Sequence, residues 1–278
     1  MKSTAQTKEK TLVLGATGKT GRRIVMRLKE LNYPVRIGSR SAEIPFDWEN
    51  ESTWKPALQD ITTVYISFQP DLAVPGAIAT IQNFTKLAVK EGVKKLILLS
   101  GRGEAEAQEC ERIVQEAGCN WTIIRASWFN QNFSEGNFLE SIQAGFVALP
   151  VGEIGEPFID ADDIADVAVA SILDDKHNGE LYEVTGTHLI TFSDAMKEIS
   201  KATDRIIEYQ QVAIHEYNAM LKEYHVPEDF IGLLTYLFTE VLDGRNAQVS
   251  NGVQRALGRE PKDFQQYVRE VAATGIWN

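Results

Sequence analysis

The chain has 278 residues, 24% charged and 44% hydrophobic, with a formal net charge of −11. This suits a soluble globular protein of one large domain, or one domain plus a smaller one. The acidic balance and the absence of a Lys/Arg cluster argue against nucleic acid as a partner, and no apolar run is long enough to span a bilayer. Met1–Lys10 reads as a polar tail without the apolar core of a signal peptide. Two cysteines, Cys110 and Cys119, are too few for a disulfide scaffold, and the scattered His177, His188, His215 and His225 lack helical metal-site spacing. No metal is expected, and a reducing cytoplasm is the expected location.

Taken in chain order, Thr11–Leu14 reads as a buried strand, and Ile24, Val25, Leu28 and Leu31 are spaced like one helix face. Between them stands Gly15-Ala16-Thr17-Gly18-Lys19-Thr20-Gly21. Val35–Gly38 is a predicted strand opened by Pro34, and Thr63–Ile66 is the next. A helix follows over about 76–91, with Ile78, Ile81, Phe84, Leu87 and Ala88 inward. Lys95–Leu99 reads as a buried strand, about 104–116 as a helix with Cys110 on its apolar face, and Trp121–Ile124 as a strand. Asp162 and Asp163 are expected to cap a helix through Ile164, Val167, Ala168 and Ile172. Leu181–Val184 reads as a late strand of the same sheet, and Thr191–Asp194 opens a further helix. From about Gln210 the pattern is helical, in three stripes. They are Tyr217, Met220, Leu221 and Tyr224; then Phe230, Leu233, Leu234, Leu237, Phe238 and Val241; then Phe264, Tyr267, Val268 and Val271.

Strands alternating with helices imply an α/β fold, a doubly wound parallel sheet covered on both faces. The expected organisation is a polar tail (1–10), a nucleotide-binding domain (11–149 with 161–185) and a smaller, mainly helical C-terminal substrate lobe (150–160 with 186–278).

Strand, glycine turn and helix together form a dinucleotide-binding context. Glycines let the backbone approach a pyrophosphate, and the helix N-terminus offers its N–H groups and positive dipole. Gly18-Lys19-Thr20 also resembles the end of a triphosphatase phosphate loop, but the glycine that such a loop needs five residues earlier is Val13 here. The second strand ends in Gly38-Ser39-Arg40, with no acid to bind a ribose 2′-hydroxyl. Arg40, Ser39 and Lys19 can instead meet a 2′-phosphate, which favours NADP(H) over NAD. Asp47 reads equally as an acceptor for the adenine amino group or as a turn cap.

The stretches 15–21, Phe46-Asp47-Trp48, Leu98–Gly101, Trp121–Phe133 and Pro157–Ala165 resemble the NmrA-like branch of the atypical short-chain dehydrogenases. Within it the chain is similar to the festuclavine/agroclavine dehydrogenase-type proteins of ergot alkaloid synthesis. The resemblance implies a Rossmann-type fold, NADP(H) binding and hydride transfer to a quinone, imine or related small molecule. It equally covers cofactor-sensing regulators that perform no turnover. By resemblance, Gly15, Thr17, Gly18, Lys19, Thr20 and Gly21 would hold the pyrophosphate, and Ser39 and Arg40 the 2′-phosphate. Phe68, Gln69 and Pro70 would lie beside the nicotinamide ribose, and Ser100 and Gly101 near the nicotinamide. Trp128, Phe129 and Asn130 would begin the substrate pocket, although the aromatic pair reads equally as sheet-end packing. Asp163 would be a structural cap.

Ordinary members of that superfamily use Tyr-x-x-x-Lys as the proton donor. The residues four places after the eight tyrosines are Ile37, Gln69, Gly186, Ala213, Leu221, Glu228, Glu240 and Val271, and none is lysine. The expected function is therefore an NADPH-dependent oxidoreductase acting on a small, flat or aromatic acceptor, quinone or imine/iminium, largely by positioning. The alternative is a non-catalytic NADP(H)-sensing regulator with a protein partner. A sugar epimerase would normally need the same tyrosine.

Overall fold

The computed structural model describes residues 10–278. The tail expected over 1–10 lies outside the described residues except for Lys10. The elements run β1 (Thr11–Leu14), α1 (Lys19–Glu30), β2 (Val35–Gly38), α2 (Trp54–Leu58), β3 (Thr63–Ile66), α3 (Ala77–Lys90), β4 (Lys95–Gly101), α4 (Ala105–Gln115) and β5 (Asn120–Ala126). They continue with α5 (Leu139–Gln143), β6 (Phe146–Leu149), α6 (Ala161–Leu173), β7 (Glu180–Val184), α7 (Phe192–Thr203) and β8 (Glu208–Gln211). The C-terminal part holds α8 (Ile214–Glu223), α9 (Glu228–Tyr236), α10 (Gly252–Leu257) and α11 (Phe264–Ala272). A π-helical turn, Leu237–Val241, follows α9 directly.

The main sheet has the order β2-β1-β3-β4-β5-β7. The pairs β1/β2, β1/β3 and β3/β4 are parallel. Asn120 N–H donates to Lys94 O and Gly179 N–H to Trp121 O, so β5 and β7 start level with their neighbours. The order reverses between β1 and β3, the place where open α/β sheets bind ligands at their carboxyl ends. The late strand expected over 181–184 joins this sheet as β7, and the structure places it at the edge. Among the described residues no helix is long and apolar enough to cross a membrane.

The chain divides into two compact units. Among the described residues, one comprises 10–100, 105–124 and 165–182; the other comprises 101–104, 125–164 and 183–278. The division falls inside β4, β5, α6 and β7. In the first unit, Leu12, Leu14, Val64, Ile66, Leu96 and Leu98 of the sheet meet Ile81, Phe84 and Ala88 of α3 and Cys110 and Val114 of α4 in one apolar core. These alternate strand positions share one face because side chains alternate across a strand. Ile78 and Leu87 of α3 are only partly buried, and Ala77 and Thr85 are buried instead. Leu31 ends α1 exposed, since the helix stops at Glu30 and turns away from the core.

The second unit has its own core. Phe133 contacts Phe138, Phe158, Phe192 and Phe264 at centroid separations of 5.2–5.9 Å. Trp277 is fully buried, and its indole N–H donates to Phe133 O at 2.8 Å. A parallel pair, β6 with β8, accompanies the helices; it was missed because Glu208–Gln211 is polar and mostly exposed, with no alternation to read. Tyr224 falls outside its expected stripe and is exposed, because α8 ends at Glu223. The cap of α6 is also corrected. The Asp160 carboxylate accepts Asp162 N–H at 2.8 Å. Asp163 instead ties down the C-terminal segment, accepting from Arg259 at 2.6 Å and from Lys262 N–H at 2.7 Å. Asp160 precedes the first helical residue, where a side-chain oxygen can reach the free N–H groups.

Candidate functional site

The turn between β1 and α1 is built from main chain. Gly15 has φ +64°, a conformation that side chains disfavour. At Gly21 an added Cβ would stand 2.2 Å from Gly15 O, so helix and turn approach each other as only glycine allows. The first intrahelical bond runs from Arg22 N–H to Gly18 O at 3.1 Å, and the preceding amides of the turn stand ahead of the ladder. No side chain caps this end, and its first turn carries no acid. Gly18 N–H donates to Gly15 O at 2.9 Å, and the remaining amides at this positive helix end suit a diphosphate. The Thr20 hydroxyl is engaged within the fold, accepting a hydrogen bond from Tyr65 at 2.9 Å, which leaves only its main chain for a ligand. Burial pushes the Tyr65 phenol above its usual range, so it stays a donor.

Around this turn the first unit brings together most of the expected residues. Thr17 is exposed, and Lys19 is half-buried. The Gln69 amide lies beside Gly18, and Gln69–Pro70 is a cis peptide. Phe68 is half-buried, with its ring 4.9 Å from that of Trp48, whose indole N–H donates to Ser67 O. Ser39 follows β2 directly, with its carbonyl accepting from Ala42 N–H and Phe46 N–H, which bends the chain back. Arg40 is exposed, with no ion-pair partner among the described residues. Asp47 acts as a turn cap, accepting Glu49 N–H at 3.1 Å on one oxygen. Ser100 shares the buried face of Leu96 and Leu98, and its hydroxyl donates to the buried Glu111 of α4 at 2.6 Å. It is turned inward, away from the role of a hydroxyl facing a ligand.

In the second unit, Gly101 lies under the Glu104 carboxylate. Trp128 packs against Phe192 and Phe238, at 5.8 and 5.4 Å, so its ring belongs to the core as well as to any pocket. Phe129 is half-buried and bridges Ile159. Asn130 is fully buried, and neither its amide nitrogen nor its amide oxygen has a hydrogen-bond partner. An unpaired buried amide costs roughly 1–3 kcal/mol, a cost that a bound water or a polar ligand group would offset.

Sequence reasoning missed two buried charged residues here. Arg102 is 4% exposed; it donates to Glu183 at 2.6 Å and to Asn246 O at 2.9 Å, and its Nη2 has no partner. Glu156 is 2% exposed and accepts Trp128 N–H at 3.2 Å. Burial raises its pKa to about 7, against the opposing Trp128 N–H and the Arg102 charge. The available signal was position, since each charge sits beside a glycine, Arg102 directly after a strand and Glu156 directly before the apolar run at 157–159.

A family model described as NAD(P)H-binding matches residues 15–175. Prestalk A differentiation protein A of Dictyostelium discoideum is 27% identical, covering 95% of this chain and 93% of that protein. Agroclavine dehydrogenase of Claviceps fusiformis is 27% identical, covering 93% and 96%. The crystal structure of NADPH-dependent quinone oxidoreductase QOR2 from Escherichia coli, complexed with NADPH, superposes with a TM-score of 0.78 at 19% identity, covering 94% and 99%, a likeness of fold. With the glycine turn at the mouth of its parallel sheet and a family match over more than half its length, the chain belongs to the NAD(P)H-binding family.

Proposed function

We propose that the protein is an NADPH-dependent oxidoreductase acting on a small, flat or aromatic acceptor of the quinone or imine/iminium type, without a Tyr-x-x-x-Lys acid. The observation that carries this reading is the glycine cradle, in which Gly21 approaches Gly15 O too closely for any side chain. In this reading the amides at Thr17, Lys19 and Thr20 hold the pyrophosphate, with Gly15, Gly18 and Gly21 shaping the turn (Gly18 N–H donates to Gly15 O at 2.9 Å), while Ser39 and the exposed Arg40 select the 2′-phosphate. The oxygen of Asp47 not engaged by Glu49 faces the adenine, and Phe68, Gln69 and Pro70 border the ribose. Ser100 and Gly101 lie near the nicotinamide through their main chain. The reduced dinucleotide, when bound, supplies hydride. Trp128, Phe129 and the unpaired Asn130 hold the acceptor. The reading places the protein in the reducing cytoplasm, with both cysteines as free thiols.

The test is calorimetry with NADPH and NADH, followed by NADPH oxidation with a naphthoquinone and a dihydroisoquinolinium ion. Tight NADPH binding and turnover of at least one acceptor are expected; absence of binding to either coenzyme overturns the reading. One observation favours a second reading, an NADP(H)-sensing regulator: the buried Ser100 hydroxyl is engaged by Glu111 at 2.6 Å. Binding that differs between NADP+ and NADPH, with no oxidation across the acceptors, selects the sensor.

A further inference from the structure

A reductase without the usual tyrosine needs another proton source for some acceptors, and the inference here rests on the reductase reading. Glu156 lies in the segment between β6 and α6. Its main chain is paired on one side, N–H to Ile190 O at 3.0 Å and O from Ile190 N–H at 3.1 Å. Its Oε1 accepts Trp128 N–H at 3.2 Å, and Oε2 has no hydrogen-bond partner among the described residues. The neighbouring segments are pinned together by Ile159 N–H to Trp128 O at 2.8 Å and by the Ser127 hydroxyl to Pro157 O at 2.6 Å. Trp128 stands two residues beyond the carboxyl end of β5, the ligand edge of an open α/β sheet. Arg102, just past β4, shares that edge through its N–H bond to Ala126 O at 3.0 Å.

The charged surroundings are few. Arg102 acts on Glu156 through space, while its Nε–H donates to Glu183. Residues 127–130 contribute no titratable side chain. Beside Ile190, His188 is exposed and pairs with Asp263 at 3.3 Å. Burial is therefore the dominant influence, and it keeps the carboxyl protonated up to about pH 7.

We propose that Glu156 is the proton donor to the acceptor, and that the acceptor is a quinone, whose reduced form must gain a proton on oxygen, rather than an iminium ion, which hydride alone neutralises. Two-electron reduction of a quinone by hydride leaves a hydroquinone monoanion. The O–H bond of Glu156 breaks, its proton forms a new O–H bond on the phenolate oxygen, and the electron pair stays on the carboxylate. Arg102 and Trp128 N–H stabilise that carboxylate, and water returns a proton to it. A carboxyl poised near the working pH is suited to such transfer.

The experiment compares menadione and an N-methyl-dihydroisoquinolinium ion, with NADPH, in wild type and Glu156→Gln from about pH 5 to 9. In wild type, kcat/KM for menadione should fall as pH rises through about 7, a limb that the iminium ion lacks. In Glu156→Gln the menadione-to-iminium rate ratio should drop at least about tenfold. Independently of turnover, infrared difference spectra of the ligand-free protein should show a protonated-carboxyl band that titrates near neutrality and is missing from the variant. An unchanged ratio with the limb retained, or no such band, overturns the assignment of Glu156 alone. A wild type that binds NADPH and reduces neither acceptor overturns the reductase reading and this proposal with it. If Glu156→Gln does not fold, the wild-type pH profile and the band still decide.

Discussion

The turn at residues 15–21 and the segments that carry Arg102, Asn130 and Glu156 differ in what they would offer a ligand. The turn offers main-chain amides in a shape fixed by glycine, with no buried charge and no unpaired side chain. The second unit offers buried side-chain atoms without a hydrogen-bond partner, Arg102 Nη2 and both amide atoms of Asn130 among them, together with the buried Glu156 carboxyl. Main chain grips any diphosphate at little cost to stability. Unpaired buried polar groups do cost stability, and such a cost persists where a ligand offsets it. The first region thus suits a cofactor common to many proteins, and the second suits an acceptor particular to this one.

The sharpest way to break the comparison is Gly21→Ala. The added methyl group would stand 2.2 Å from Gly15 O and 2.7 Å from its carbon, so the turn must open. NADPH affinity measured by calorimetry should fall at least about 100-fold, about 2.7 kcal/mol. An intact far-UV spectrum would show that the sheet survives. Retained affinity would mean that the amides of this turn are not the grip.

The difference between the regions is also a difference in legibility. Glycine spacing after four apolar residues dictates strand, turn and helix locally, so 11–30 could be read without tertiary information. The capping Thr191, which accepts Asp194 N–H at 3.0 Å, was legible for the same reason. Ser100 was not, because its direction depends on α4 packing over β4 and supplying Glu111. Nor were Arg102 and Glu156, since a charged residue in a sequence reads as solvated until its burial is known. The polar strand β8 escaped notice because its pairing with β6, 62 positions away at Phe146 and Glu208, leaves no local period.

Glu156→Gln tests the stability cost directly. A carboxyl raised from 4.5 to about 7 in the folded chain costs nothing below the unfolded value. The cost then grows as pH rises toward 7 and is constant above it. The variant should therefore gain little at pH 5 and up to about 3 kcal/mol at pH 8, read from urea midpoints at the two pH values. An equal change at both would show that Glu156 is not held protonated by the fold.

Asn130→Leu carries a smaller expectation. If the amide is reserved for a ligand, removing it should stabilise the ligand-free protein by roughly 1–2 kcal/mol while raising KM for the acceptor. NADPH affinity should stay as it is. A destabilised variant with unchanged KM would make Asn130 part of the core alone.

Arg40→Ala is the mildest change, because the side chain is exposed and its removal leaves the fold untouched. If Arg40 selects the coenzyme, its guanidinium just past β2 meets the phosphate that distinguishes NADPH from NADH. Affinity for NADPH should fall about tenfold, about 1.4 kcal/mol, with affinity for NADH unchanged. The effect should shrink as salt is raised, since an exposed pair is screened. Equal losses for both coenzymes would assign Arg40 to general attraction of anions and leave the preference to Ser39 and Lys19. The contrast would then narrow, because the first unit too would depend on side chains for its choice of ligand.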